Sequence, residues 1–168
     1  AGLGIVEAAL MMQTVAASGA AMSGASAIHM NIFGLNPVVV FGSEEQKQRW
    51  LPPLITGREK ACFAVTEPNT GLDTTHLQTK AILNGDRYLL SGAKVWISTA
   101  QVAQKMLILA RTTPIENVAK PSLGLSLFYT DLDRRYVEVR EIRKMGRHAV
   151  DSNQLFIDAL PVILTNSL

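Results

Sequence analysis

A single cysteine, Cys62, in 168 residues excludes an intrachain disulfide, and nothing else points to an oxidising compartment. A reducing interior is expected. Net charge is scarce too: 16 Lys and Arg against 14 Asp and Glu leave a formal +2. So small a bias gives no reason to expect a nucleic-acid or membrane-surface partner. The densest basic run, Arg134 to Arg147, is interrupted by Glu138 and Glu141 and reads as a solvated strand face, with a phosphate-bearing ligand as the alternative. The chain opens Ala-Gly-Leu-Gly, without a basic region, apolar core and small-residue cleavage site, and reads as if entered midway.

The most extended absence lies between Ala8 and Ser43, where there is no Asp, Glu, Lys or Arg. A bilayer-spanning helix would favour Leu, Ile and Phe, whereas this stretch is dense in Ala, Gly and Ser and is punctuated at Ser18-Gly19. No membrane span is expected; two shorter buried helices are. Helices apolar on all sides need neighbours on all sides, and few are available here, so self-association is expected.

What is present divides near Gly57. The segment "FGSEEQKQRW" offers Ser43 as N-cap with Gln46 three residues on, and Glu44 and Glu45 in the first turn, followed by a stop at Pro52-Pro53. Beyond Ala61 come eight short β-rich runs: "CFAVTE", "HLQTKAIL", "RYLLSG", "KVWIS", "KMLILAR", "LGLSLFYT", "RYVEVREIR" and "NQLFIDAL". Turn signals such as Asn84-Gly85-Asp86 and Ser91-Gly92 separate them. The fold class is therefore α+β: N-terminal α-helices over residues 1–57, then an antiparallel β-barrel or sandwich over 58–168.

One bend stands out. In "VTEPNTGLDTT", Glu67 is pushed toward extended backbone by Pro68, while Asn69 and Gly71 tolerate positive φ. Amides at such a reversal, with the hydroxyls of Thr66, Thr70 and Thr74, suit a ligand rich in carbonyls, ring nitrogens or phosphates. An Asx-stabilised turn between two strands accounts for the same composition. A second piece is "KVWIST": Trp96 and Ser98, two apart, share one strand face, where an indole can lie against a planar ring while the hydroxyl bonds its edge. A core Trp is the alternative.

The order of "GSEEQKQRWLPPLITGREKACFAVTEPNTGLDTTHLQTKA", "NGDRYLLSGAKVWIS", "ILAR" and "KMGRHAVDSNQLFIDALPV" closely resembles the acyl-CoA dehydrogenase flavoprotein family over almost the whole chain. The resemblance implies an N-terminal helical domain, a central β-domain and a C-terminal helical bundle, of which the last has no counterpart in these residues. It implies FAD as cofactor, an acyl-CoA as substrate, an electron-transfer flavoprotein as electron acceptor, and a homo-oligomer. The implied reaction oxidises the thioester to the 2,3-enoyl-CoA. By the family pattern Phe63, Val65, Thr66, Gly71, Trp96 and Ser98 contact the flavin, with Ser98 near its reactive nitrogen. Leu72 stands where many members carry an acyl-CoA-contacting Ser, and His148 where an Arg is common.

No catalytic residue is assigned and no metal site is expected. Glu44 and Glu45 cap a helix, Glu67 is a bend residue, and the family's base belongs to the C-terminal domain. Isolated, these residues are therefore expected to be inactive and to hold FAD weakly. His29 reads either as a core residue or, by the resemblance, as part of the acyl cavity floor, favouring a short, branched or polar acyl group. A non-enzymatic ligand-binding or assembly module is the rival reading, and an acyl-CoA oxidase or flavin monooxygenase of related build is a third.

Overall fold

Ser18-Gly19 does interrupt the apolar N-terminal stretch. The computed structural model describes residues 2–168, with the backbone alone of Ile32. Helix α1 (Ile5–Val15) gives way to a wide π-helical turn, Ala16–Ala20, in which Gly19 adopts φ 98°, before α2 (Ala21–His29). A second wide turn, Met30–Gly34, leads into α3 (Asn36–Phe41) and α4 (Glu44–Ile55).

The expected burial of the first two helices is corrected: neither contains a buried residue, and Ile5, Val6, Leu10 and Met22 are exposed. The described residues direct their own apolar area into the sheet and leave nothing to cover this face. Ile5–His29, 25 residues of hydropathy 1.4, is long and apolar enough to cross a bilayer by length and composition.

Helix α4 starts as its sequence dictates. Gln46 N donates to Ser43 Oγ (3.2 Å) and Ser43 N to Gln46 Oε1 (2.8 Å), a reciprocal capping box. The predicted stop at Pro52-Pro53 is not a stop, because the helix continues to Ile55. Two amide donors are lost, yet the proline carbonyls still accept from Thr56 N (3.0 Å) and Glu59 N (3.1 Å). Trp50 is buried, with Leu51 and Leu54 packed beside it, and that packing outweighs the proline penalty.

Among the described residues the sheet has seven strands: β1 (Ala61–Ala64), β2 (Lys80–Asn84), β3 (Arg87–Ser98), β4 (Lys105–Arg111), β5 (Leu125–Asp131), β6 (Val137–Glu141) and β7 (Ser152–Ile163). Eight apolar runs become seven strands because "RYLLSG" and "KVWIS" are one strand, β3, with irregularities against β7 between Leu90 and Gly92 and between Lys94 and Ile97. Ser91-Gly92 is thus not a turn but lies opposite a bulge on β7, where Asp158 and Ala159 face the single residue Ser91 and Ala159 adopts φ 49°. The order is β1-β4-β2-β3-β7-β6, with β5 also on β4.

Helices followed by a curled sheet are as expected, but the sheet is mixed. Most pairs are antiparallel, while β1 runs parallel to β4, as does β2 at the Lys80–Arg111 bridge. A parallel neighbour requires a long crossover, and the bend plus the β2–β3 hairpin supply it between β1 and β4.

Two cores result. One fills the curl of the sheet around Leu90, Ile97, Met106, Ile108, Phe128 and Leu155. The other joins helices to sheet through Leu35, Val38, Trp50, Leu107 and Tyr129, with the Trp50 and Tyr129 rings 4.9 Å apart.

Candidate functional site

Beyond the end of β1, Glu67 and Thr70 close the bend on themselves through Glu67 N to Thr70 O (3.0 Å) and Thr70 N to Glu67 O (3.1 Å). The Glu67 side chain turns inward instead of to solvent and is only 6% exposed. Its carboxylate accepts from Gln78 N (2.6 Å), Thr79 N (2.9 Å) and Lys94 Nζ (2.9 Å). Lys94, wholly buried, also donates to the carbonyls of Val65 (3.1 Å) and Leu109 (2.8 Å). Burial alone raises the Glu67 carboxyl, but the bonds from Thr79 and Gln78 and the Lys94 ammonium outweigh it and hold the group below its ordinary value. Burial lowers the Lys94 ammonium, and Glu67 opposes that shift.

The bend is stitched to β3 by Val95 N donating to Thr66 O (2.9 Å). One residue later the strand breaks alternation: Lys94 and Val95 are both buried, Trp96 points out and Ile97 points in. Trp96 sits in this irregularity at φ 61° and is 60% exposed. A left-handed conformation costs an L-residue about 1–2 kcal/mol. The core-Trp alternative therefore fails for Trp96; the core tryptophan is Trp50.

The far end of β3 is anchored as firmly. Asn153 Nδ2 donates to Ile97 O (2.9 Å), and the Asp151 carboxylate accepts from Thr99 N (3.1 Å) and Gln101 N (3.0 Å). Ser98, half-buried, pairs with Ser152 between these anchors.

The structure thus groups Val65 and Thr66, both half-buried, with the β3 segment carrying Trp96 and Ser98. Phe63 is half-buried on the helix side, where a Cβ on Gly34 would lie 3.4 Å from its own Cβ. Gly71 is exposed past the turn, and Leu72 beside it is fully so. His29 is exposed on α2, its ring 5.0 Å from that of Phe33, and so is not a core residue. Among the described residues no hydrogen bond ties it to the bend.

Glu67, Lys94, Asp151 and Asn153 were not singled out by the sequence as parts of this framework. The available signal was a lysine inside an apolar strand, "GAKVWI", and a carboxylate before proline.

A cavity of about 300 Å³ lies behind the bend, lined by Glu67, Thr70, Thr79 and Gly92. Among the described residues no cluster of His, Cys, Asp and Glu could hold a metal ion. Cys62 is no nucleophile, since burial pushes its thiol up to about 12. The residues present fit a flavin in one respect: Trp96 offers an outward indole on which no ring or guanidinium of the described residues stacks, in the strand segment whose Val95 amide is bonded to the Thr66 carbonyl.

Residues 62–160 match the acyl-CoA dehydrogenase middle domain and residues 1–58 the acyl-CoA dehydrogenase N-terminal domain. The chain belongs to the acyl-CoA dehydrogenase family. It is 31% identical over 169 residues to an acyl-CoA dehydrogenase of Bacillus subtilis, covering 100% of this chain and 43% of that protein. It is 32% identical over 153 residues to the caffeyl-CoA reductase-Etf complex subunit CarC of Acetobacterium woodii, covering 89% and 39% respectively. A glutaryl-CoA dehydrogenase of Mycobacterium smegmatis in complex with FADH2 superposes with a TM-score of 0.81 at 25% identity, over 93% of this chain and 38% of the other. The chain therefore spans about two fifths of the length of these relatives.

Proposed function

We propose that the protein carrying these residues is an FAD-dependent acyl-CoA dehydrogenase that oxidises an acyl-CoA thioester to its 2,3-enoyl-CoA and delivers electrons to an electron-transfer flavoprotein. Trp96 is the observation that carries this reading. A large aromatic held at φ 61° in a strand irregularity and left 60% exposed bears two costs that no internal contact offsets. A planar ring laid on the indole would offset both.

FAD, when bound, supplies the hydride acceptor and passes the electrons on. The chain's share is positioning. Trp96 would hold the ring by stacking, Ser98 would offer its hydroxyl as a donor to it, and Phe63, Val65, Thr66 and Gly71 would complete the contact. Leu72 lies toward the acyl-CoA without a hydroxyl to offer. The α-proton passes to a carboxylate outside these residues, because Glu67 is committed to Lys94 and two amides. Residues 1–57 and 58–168 act as separate helical and β domains in a homo-oligomer. Protein, not lipid, covers α1 and α2, and the enzyme works in a bacterial cytoplasm or a mitochondrial matrix.

His29, exposed on α2, is proposed to face the acyl tail and to shorten the accepted chain, by about 0.8 kcal/mol for each methylene denied burial. His29→Ala is expected to extend the chain length accepted, and identical kcat/KM profiles across an acyl-CoA series would remove His29 from the site. The function itself is tested by the visible spectrum of the purified protein. Bound FAD is expected, bleached by a suitable acyl-CoA, with Trp96→Ala losing flavin. A protein that takes up no FAD under any condition is the non-enzymatic module instead.

A further inference from the structure

The Lys94–Glu67 pair is more elaborate than stability requires. Replacing a buried ion pair by apolar residues of similar volume is often neutral or stabilising, so burial of two charges calls for another reason. What the pair provides is direction. All three donors of the Lys94 ammonium are used, on the Val65 carbonyl, the Glu67 carboxylate and the Leu109 carbonyl. The carboxylate in turn holds the amides of Gln78 and Thr79. Four chain segments are fixed to one another at a point two residues before Trp96.

That point is where β3 changes phase. Strand side chains alternate, so a register slip of one residue sends every following side chain to the opposite face. Here β3 carries one residue more than β7 between the Lys94–Leu155 and Ile97–Asn153 pairs, with Lys94 and Val95 both buried and Trp96 exposed. Relaxing the irregularity would restore alternation, free Trp96 from its left-handed backbone and turn the indole toward the core. The structure contains an incentive to slip and a polar lock against it.

We propose that Lys94 and Glu67 are positioning residues: their buried pair locks the β3 register that presents Trp96 and holds the Val65–Thr66 bend beside it, preparing the flavin-facing surface. This rests on the flavin reading above for its purpose, but the lock itself is a property of the chain.

The test uses the double variant Lys94→Met/Glu67→Gln, which removes the charges while keeping side-chain volume. In a Trp50→Phe background, Trp96 is the sole tryptophan. Acrylamide quenching of its fluorescence without FAD is expected to fall about twofold as the indole turns inward. In the Trp50-containing protein loaded with FAD, the double variant is expected to release the cofactor about tenfold faster, while its unfolding midpoint stays near that of the unsubstituted protein. A pair that served stability alone would leave quenching and release unchanged, and that result overturns the inference. Glu67→Gln alone is the second variant: it keeps the shape of the bend, and unchanged quenching there overturns the inference even if the double variant does not fold. Absence of FAD from the unsubstituted protein defeats the functional reading, and the quenching result then decides the lock by itself.

Discussion

Cys62 lies fully buried in the sheet core, and its thiol, raised by that burial to about 12, is almost wholly protonated near neutrality. Because the thiolate is the reactive species, the native protein is expected to resist alkylation by iodoacetamide and to react only after unfolding. Stoichiometric labelling of folded protein would contradict the burial. Glu67 makes a different prediction. Its folded-state carboxyl sits below the ordinary value, so as pH falls the unfolded chain takes up its proton first. The stability it contributes is complete above the ordinary carboxylate range and is lost as pH drops through the depressed folded value. Glu67→Gln is accordingly expected to flatten the acid limb of a plot of urea midpoint against pH. An acid limb of unchanged slope would show that the Lys94 pair contributes nothing to it.

At the scale of elements, Gln46 ties two distant pieces together. Besides closing the capping box of α4, its amide donates to the carbonyls of Thr165 (2.8 Å) and Ser167 (3.0 Å), past the end of β7. Gln46→Ala is expected to cost about 1–2 kcal/mol in urea unfolding, beyond what an exposed helix position would lose. Strand β3 offers a steric counterpart. A Cβ on Gly92 would lie 2.5 Å from Thr79 Oγ1 and 2.7 Å from its Cα. Since Thr79 is buried and follows an amide held by Glu67, the clash cannot be relieved by rotating a surface side chain. Gly92→Ala is expected to destabilise by about 1–3 kcal/mol, read by the same unfolding experiment; a neutral outcome would mean the bend is looser than its hydrogen bonds indicate.

At the scale of the molecule, the uncovered face of α1 and α2 dominates. Ile5 and Val6 are exposed just before, and Leu10 and Met22 within, the stretch from Ala8 to Ser43 that holds no charged residue. Prepared by itself, the chain of residues 1–168 is expected to self-associate and to bind a hydrophobic dye. Sedimentation velocity showing a dye-free monomer at high concentration would refute that expectation. The same preparation is expected to show no acyl-CoA-dependent reduction of an artificial acceptor, since Glu67, the buried carboxylate of the bend, is committed to Lys94 and two amides.

Local chemistry was enough for the helix-to-sheet transition near Gly57, the break at Ser18-Gly19, the capping box at Ser43 and the hairpin at Gly85-Asp86. Each depends on a few adjacent residues, and their preferences agree with the fold. The family likeness was legible in the "VTEP" and "WIS" segments for the same reason. Tertiary structure alone decided the rest. Pro52-Pro53 reads as a stop, but the packing of Trp50 and Leu54 against the sheet carries the helix through. Which tryptophan is buried, Trp50, and which is exposed, Trp96, depends on what the folded chain brings opposite each side chain. Above all, Glu67 and Lys94 lie 27 positions apart and each looks solvent-bound in its own segment. Only the parallel return of β4 beside β1, which brings the Leu109 carbonyl to the Lys94 ammonium, makes a buried charge tolerable there, because three acceptors, two from the bend and one from β4, must converge to replace water.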